Sequence, residues 1–108
     1  MTKTNPLTQA ILCLLNASGF RAWRTGNHAV YSVKRKSFMK NPSRLLGIPD
    51  ICGYRKKDGK AIYVEVKTGK DKLSEAQKHF LSEAQKATCI VIVPENIQQV
   101  QNRLMVEY

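Results

Sequence analysis

The sequence predicts an α/β domain in which a mixed β-sheet is flanked by helices. Residues 61–68 alternate strongly between apolar and polar side chains, residues 74–86 are amphipathic at helical spacing, and residues 89–93 are wholly apolar. This order is typical of a right-handed β-α-β unit with two parallel strands. Earlier strand-like segments are separated by turn residues and predict antiparallel pairs. The chain length of 108 residues fits one domain, 1–108.

The N-terminal part predicts one helix followed by two strands. Thr4 or Asn5 is a suitable N-cap for the helix, and Gly19 is a suitable stop. Between them, apolar residues recur at the spacing of one helix face. Residues 20–24 and 30–34 are typical of strands, with turn residues between them that predict an antiparallel pair.

The middle of the chain predicts a basic loop and then a hairpin. Residues 34–44 are basic and irregular, so we expect a loop there. A strand starting at Asp50 is joined to the alternating strand by a turn at Asp58-Gly59, whose residues would supply positive φ angles. A last helix is predicted at 96–104. The predicted order is therefore α-β-β-β-β-α-β-α.

The charge balance points to a polyanionic partner. The chain has 18 basic and 8 acidic residues, a formal net charge of +10. Such an excess favours nucleic acid first and an anionic membrane surface second. The basic residues are concentrated between Arg21 and Lys60, around Asp50.

Cysteine usage and hydropathy indicate a protein of the reducing cytoplasm. The three cysteines are far apart in sequence and lack metal-ligand spacing, so we expect reduced thiols in the core. We see neither an apolar run long enough to span a bilayer nor the pattern of a signal peptide. We therefore expect a cytoplasmic protein.

Charged residues in the alternating strand are the first indication of chemistry. Strand spacing places Glu65 and Lys67 on one face, where burial is costly unless a function requires it. Pairing about the Asp58-Gly59 turn places Asp50 opposite residues 67 and 68, close to both charges. Two carboxylates beside a lysine predict a site for Mg²⁺ or Mn²⁺. We expect the backbone carbonyl of Val66 to be a further ligand.

These residues resemble the PD-(D/E)XK nuclease signature, and the neighbouring motifs resemble its VRR-NUC (virus-type replication-repair nuclease) branch. The first match is Pro49-Asp50, fourteen residues, then Glu65-Val66-Lys67; the second comprises Gly47-Ile48-Pro49-Asp50 and Leu73-Ser74-Glu75-Ala76-Gln77. The resemblance is to the small stand-alone members from phages and bacteria. It implies a restriction-endonuclease-like core and a metal-dependent endonuclease. These relatives are similar to Holliday-junction resolvases and act as homodimers on branched DNA, which implies a role in DNA repair in a bacterial cell or phage-infected host.

The resemblance also implies roles for individual residues. Asp50 and Glu65 would be metal ligands, Lys67 the catalytic lysine, and Gln77 a catalytic glutamine on the following helix. Gln77 also stands three residues after Ser74, the spacing of a capping box, and both interpretations stay open. Many relatives have an acidic metal ligand on the first helix, and its counterpart here is the neutral Gln9.

We expect recognition of DNA shape and backbone rather than base sequence, because no base-reading helix or zinc finger is evident. The predicted DNA-binding residues are Arg21, Arg24, Arg35, Lys36, Lys40, Arg44 and Lys70. Trp23, Tyr31 and Tyr63 are candidates for base stacking, although packing against the sheet is the default for each.

The predicted function is thus a Mg²⁺- or Mn²⁺-dependent endodeoxyribonuclease that hydrolyses phosphodiester bonds in branched DNA. The alternative is a non-catalytic or partner-dependent nucleic-acid-binding module on the same fold.

Overall fold

The computed structural model describes residues 5–25, 30–32, 37–39, 47–69 and 72–107, with the backbone alone at 30–32, 37–39 and 107. The elements of these residues are α1 (Pro6–Ala17), β1 (Phe20–Arg24), β2 (Val30–Ser32), β3 (Ser37–Met39), β4 (Ile51–Arg55), β5 (Ala61–Val64), α2 (Glu75–Lys86), β6 (Ile90–Ile92) and α3 (Ile97–Glu107). The order confirms the α/β class and adds one strand to the prediction.

Local capping determines the first helix. The Asn5 side chain accepts a hydrogen bond from the Leu7 N–H, so Asn5 is the N-cap. The helix ends at Ala17, and Gly19 follows with a φ of 88°. The start and the stop of α1 are therefore both encoded within a few residues.

The main sheet has four strands in the order β1-β4-β5-β6. The β1–β4 and β4–β5 pairs are antiparallel and the β5–β6 pair is parallel, as the β-α-β unit requires. The predicted pairing of residues 20–24 with 30–34 is wrong, because β1 pairs with β4 and β2 pairs with β3 in a separate small sheet. These pairings are long-range, and local turn residues do not specify them.

The predicted loop at 34–44 also needs correction, because it contains β3. Three residues are too few to show strand periodicity, and this strand depends on its pairing with β2. The rest of that segment lies outside the described residues.

The β4–β5 hairpin turns earlier than predicted. The Arg55 N–H donates to the Lys60 carbonyl at 2.8 Å, so the loop comprises residues 56–59. Only Gly59 of this loop has a positive φ, 77°. The Asp58 carboxylate instead accepts from the Arg55 guanidinium and from the Lys60 N–H. The register therefore pairs Ile51 with Val64 and places Asp50 opposite residue 65 rather than 67–68.

Helices cover both faces of the sheet. Helices α1 and α3 contribute to the main core on one face, which includes Ile11, Phe20, Ile62 and Val100. On the other face α2 packs through Leu81 and Ala84 against Val91, next to Tyr63 and Phe80. In the part of the chain that the structure describes, no helix is long and apolar enough to cross a membrane.

The cysteine prediction is only partly right. All three thiols are free, but Cys13 is exposed whereas Cys52 and Cys89 are half-buried. Cys13 lies on the solvent side of α1, because Ile11 and Leu15 form its buried side. Burial, and next the nearby Glu65 carboxylate, raise the pKa of Cys52 to about 11.

Candidate active site

Two carboxylates meet where β4 begins and β5 ends. The Asp50 N–H donates to Glu65 Oε2 at 3.2 Å, and the Val66 N–H donates to Asp50 Oδ2 at 3.0 Å. The register of the hairpin produces this arrangement. Ile51 pairs with Val64, Asp50 comes directly before Ile51, and Glu65 comes directly after Val64. The convergence of the two acids predicted from the sequence is therefore present, two residues away from the predicted register.

The backbone of Glu65 and Lys67 is hydrogen-bonded on the β6 side of the sheet. The regular part of β5 ends at Val64, yet the Glu65 and Lys67 N–H groups still donate to the carbonyls of Ile92 and Pro94. Beyond Val64 the chain runs past the start of β4, and among the described residues its strand neighbour is β6 with the residues that directly follow it. This explains why the regular strand is shorter than the predicted 61–68. It also leaves the Val66 N–H directed toward Asp50.

Glu65 is a buried carboxylate, with 3 % of its surface exposed. The pKa of Glu65 is raised to about 7. Burial is the main cause, and the nearby Asp50 charge acts in the same direction. The Lys67 ammonium opposes this shift. Asp50 is exposed, so the pair combines one buried and one accessible carboxylate.

Lys67 lies on the same face as Glu65, as their spacing predicts. Its Nζ is 3.6 Å from Glu65 Oε1, and 18 % of its side chain is exposed. A partly buried ammonium at this position contributes a positive charge next to the Glu65 carboxylate. It is a donor in place to contact a phosphate oxygen or a water at the pair.

Gln77 performs two structural tasks with one amide group. Its Oε1 accepts from the Ser74 N–H at 2.9 Å, and the Gln77 N–H donates to Ser74 Oγ, which completes a capping box. Its Nε2 donates to Glu65 Oε1 at 3.0 Å. The cap fixes the amide and thereby directs its donor at Glu65, so Gln77 is a positioning residue. The two interpretations of Gln77 left open by the sequence are compatible in this geometry.

Gly47 brings the Pro49-Asp50 motif against the start of α2. Its φ is 82°, and an added Cβ would lie 2.2 Å from the Ala76 carbonyl oxygen and 2.9 Å from the Gln77 nitrogen. Glycine is thus required by both conformation and space. Sequence reasoning used Gly47 only as part of a family motif. A contact with a helix that starts 28 residues later leaves no local signal.

The donor set at this place fits a hard divalent cation. Asp50 and Glu65 supply carboxylate oxygens, the ligands that Mg²⁺ and Mn²⁺ prefer. Among the described residues, no group of three or more His, Cys, Asp or Glu gathers at one place. Further ligands would then be backbone carbonyls, substrate oxygens or water, as is usual for Mg²⁺.

Gln9 is not joined to this pair by a hydrogen bond. It is exposed on α1, and its Nε2 donates to Cys13 Sγ at 3.9 Å within the same helix. Its role as a metal ligand stays a prediction, as does the role of the Val66 carbonyl.

The predicted DNA-binding residues divide into two groups. Arg21 and Arg24 are exposed on β1, opposite Tyr54 and Ile51 of β4 respectively. The other five lie outside the described residues: Arg35, Lys36, Lys40, Arg44 and Lys70.

Comparison with known proteins gives a family-model match across the part of the chain that holds the site. No curated protein and no solved structure gives a significant match. The family model described as the VRR-NUC domain matches residues 10–95, which include β1, the Asp50–Glu65 pair, Lys67, α2 and β6. This family implies a nuclease-type domain and DNA as its partner. The match covers well over half of the chain, and the protein therefore belongs to the VRR-NUC domain family.

Proposed function

We propose that this domain is a Mg²⁺- or Mn²⁺-dependent endonuclease that cuts branched DNA, as Holliday-junction resolvases do. The observation that carries the proposal is the Asp50–Glu65 carboxylate pair with Lys67 beside it. In a nuclease-type domain with a net charge of +10, two converging acids are unfavourable for phosphate binding unless a cation lies between them and the substrate.

Asp50 and Glu65 would hold the cation, with the Val66 carbonyl and the Gln9 amide oxygen as further donors. When bound, such a cation lowers the pKa of a coordinated water and stabilises charge on the leaving oxygen. Gln77 keeps the Glu65 carboxylate oriented through its 3.0 Å hydrogen bond. Gly47 permits the close packing that holds Asp50 and α2 together.

Lys67 is the catalytic residue of this proposal. Its ammonium lies 3.6 Å from Glu65 and is partly exposed, so it can donate to the attacking water or to a non-bridging phosphate oxygen. A fixed positive charge there stabilises the negative charge that develops on the phosphorus centre.

Charge and size support the choice of branched DNA. Exposed Arg21 lies on β1 opposite Tyr54, on the same face as Asp50, so phosphate contacts can continue from the site along β1. Arg24 is exposed on the other face of the same strand, at its end. Two strands of a junction must be cut, and a symmetric dimer of this small domain would supply two active sites.

The test is cleavage of labelled four-way junction, flap and linear duplex DNA in Mg²⁺, Mn²⁺ or EDTA. We expect paired nicks in the junction that require metal, and a rate loss of about 10²- to 10³-fold in Lys67→Ala. Lys78→Ala is the matched control, because this lysine is exposed on α2 and pairs with Glu75.

Wild-type rates in Lys67→Ala would contradict the proposed site. Binding without cleavage under every metal condition would instead favour the non-catalytic or partner-dependent binding module. Light scattering of the protein with and without junction DNA tests the homodimer.

A further inference from the structure

On the sheet face that carries the carboxylate pair, two large aromatic side chains are exposed. Trp23 of β1 and Tyr54 of β4 are 47 % and 43 % exposed, although both belong to regular strands. Their rings contact each other edge to face, with centroids 6.3 Å apart and planes at 66°. Trp23 lies opposite Cys52, and Tyr54 lies opposite Arg21. We call these four residues the aromatic patch.

The aromatic patch lies on the same face as the candidate active site. Asp50, Cys52 and Tyr54 are at alternate positions, which places them on one side of the chain. Cys52 lies opposite Tyr63 of β5, and Glu65 is two residues beyond Tyr63, on the same side of that chain. Two residues of a strand span about 7 Å. Cys52, and Trp23 opposite it, therefore lie about that distance along the strand from Asp50. A strand of DNA that is bound at Asp50 and runs along β4 toward Tyr54 would cross the aromatic patch.

We propose that the aromatic patch is a stacking platform for an unpaired base of the DNA strand bound at Asp50. Aromatic side chains bind bases through their π faces with little preference for sequence. The inference rests on the proposed function, because the occupant is a segment of the nucleic acid substrate. Trp23 and Tyr54 would then select DNA that has unpaired nucleotides beside the cut.

The surroundings of the rings favour DNA over an apolar partner. Arg21 is exposed directly opposite Tyr54, and a cation beside a stacked base can bind the adjoining phosphate. The other neighbour is the carboxylate pair with Lys67, at the site where we propose that a phosphodiester is bound. Exposed aromatic rings between two phosphate-binding positions match the alternation of base and phosphate along a single strand.

The first test uses the intrinsic fluorescence of Trp23, which is the one tryptophan of the chain. The wild-type protein is titrated with a short oligothymidylate and with a hairpin duplex of matched phosphate count, in EDTA and again in Ca²⁺, a cation that carboxylates also bind. We expect strong quenching by the oligothymidylate and little by the duplex. Equal quenching by the two DNAs, or none by the oligothymidylate, would overturn the proposal.

The second test measures the affinity of variants for the same two DNAs by fluorescence anisotropy. Trp23→Ala and Tyr54→Ala are each expected to weaken oligothymidylate binding about tenfold and to leave duplex binding unchanged. Trp23→Phe and Tyr54→Phe keep a ring and are expected to keep most of the affinity. Met105→Ala, which removes an exposed apolar side chain of α3, is the control.

Three results of the second test would overturn the proposal. They are equal losses on both DNAs, no loss on either, and conversion of a wild-type dimer to a monomer by the alanine changes, which would make the patch an interface between copies. Because both tests measure binding in the absence of Mg²⁺ and Mn²⁺, they do not depend on cleavage. A preference for oligothymidylate in a protein that never cuts DNA would support the patch and reject the nuclease.

Discussion

The two halves of one sheet face contain similar residues with opposite environments. In the β5–β6 half, Tyr63 contacts Phe80 of α2 edge to face at 5.0 Å, and both belong to a small apolar cluster. In the β1–β4 half, Trp23 and Tyr54 make a similar contact at 6.3 Å but are nearly half exposed. The comparison teaches that α2, rather than the strand sequences, decides which aromatic pair is structural.

The first prediction separates the two halves by stability. Phe80→Ala removes an apolar ring that packs between α2 and β5, and we expect the free energy of unfolding to fall by about 3 kcal/mol. Trp23→Ala removes a ring that is already nearly half exposed, and we expect a loss of about 1 kcal/mol. Urea denaturation followed by circular dichroism measures both.

Phe80→Leu is the control for this comparison, because it keeps apolar volume against Tyr63 and should lose less than Phe80→Ala. Equal losses for Phe80→Ala and Trp23→Ala would show that the two aromatic pairs do not differ in the way their exposure indicates.

The second prediction concerns how the covered half supports the site. Gln77→Glu preserves an acceptor for the capping box but replaces the donor to Glu65 with a negative charge. We expect cleavage to fall about 10- to 100-fold, because the loss of a hydrogen-bond partner of a metal ligand usually has an effect of this size. Rates on junction DNA in Mg²⁺ give the measurement.

Ser74→Ala is the matched variant, since it removes the cap hydroxyl and leaves Gln77 in place. We expect it to lower stability by about 1 kcal/mol and to affect cleavage less than Gln77→Glu. If Ser74→Ala reduced cleavage as much as Gln77→Glu, the cap alone would explain the role of Gln77.

Local patterns in the sequence predict much of this site. The alternation around residues 61–68 predicts that Glu65 and Lys67 share a face, and the spacing of Ser74 and Gln77 predicts the capping box found in the structure. Both features depend on neighbours within a few residues, for which periodicity and capping rules are sufficient.

The parts that the sequence did not predict depend on distant contacts. The hairpin register shifts because Asp58 accepts hydrogen bonds from Arg55 and Lys60 and widens the loop. The exposure of Trp23 depends on where α2 packs on the sheet. No periodicity in the strands specifies either outcome.

The central claim is that the Asp50–Glu65 pair is a catalytic metal site, and Glu65→Gln tests it most directly. This change keeps the size and burial of the side chain but removes the negative charge. Glu83→Gln is the control, because Glu83 is exposed on α2 and pairs with His79. Junction cleavage in Mg²⁺ and Mn²⁺ and junction binding in EDTA are measured for wild type and both variants.

We predict that Glu65→Gln binds the junction but does not cut it in either metal, whereas Glu83→Gln cuts at the wild-type rate. Wild-type cleavage by Glu65→Gln would contradict the account, because hydrolysis would then not require the charge at the centre of the proposed site.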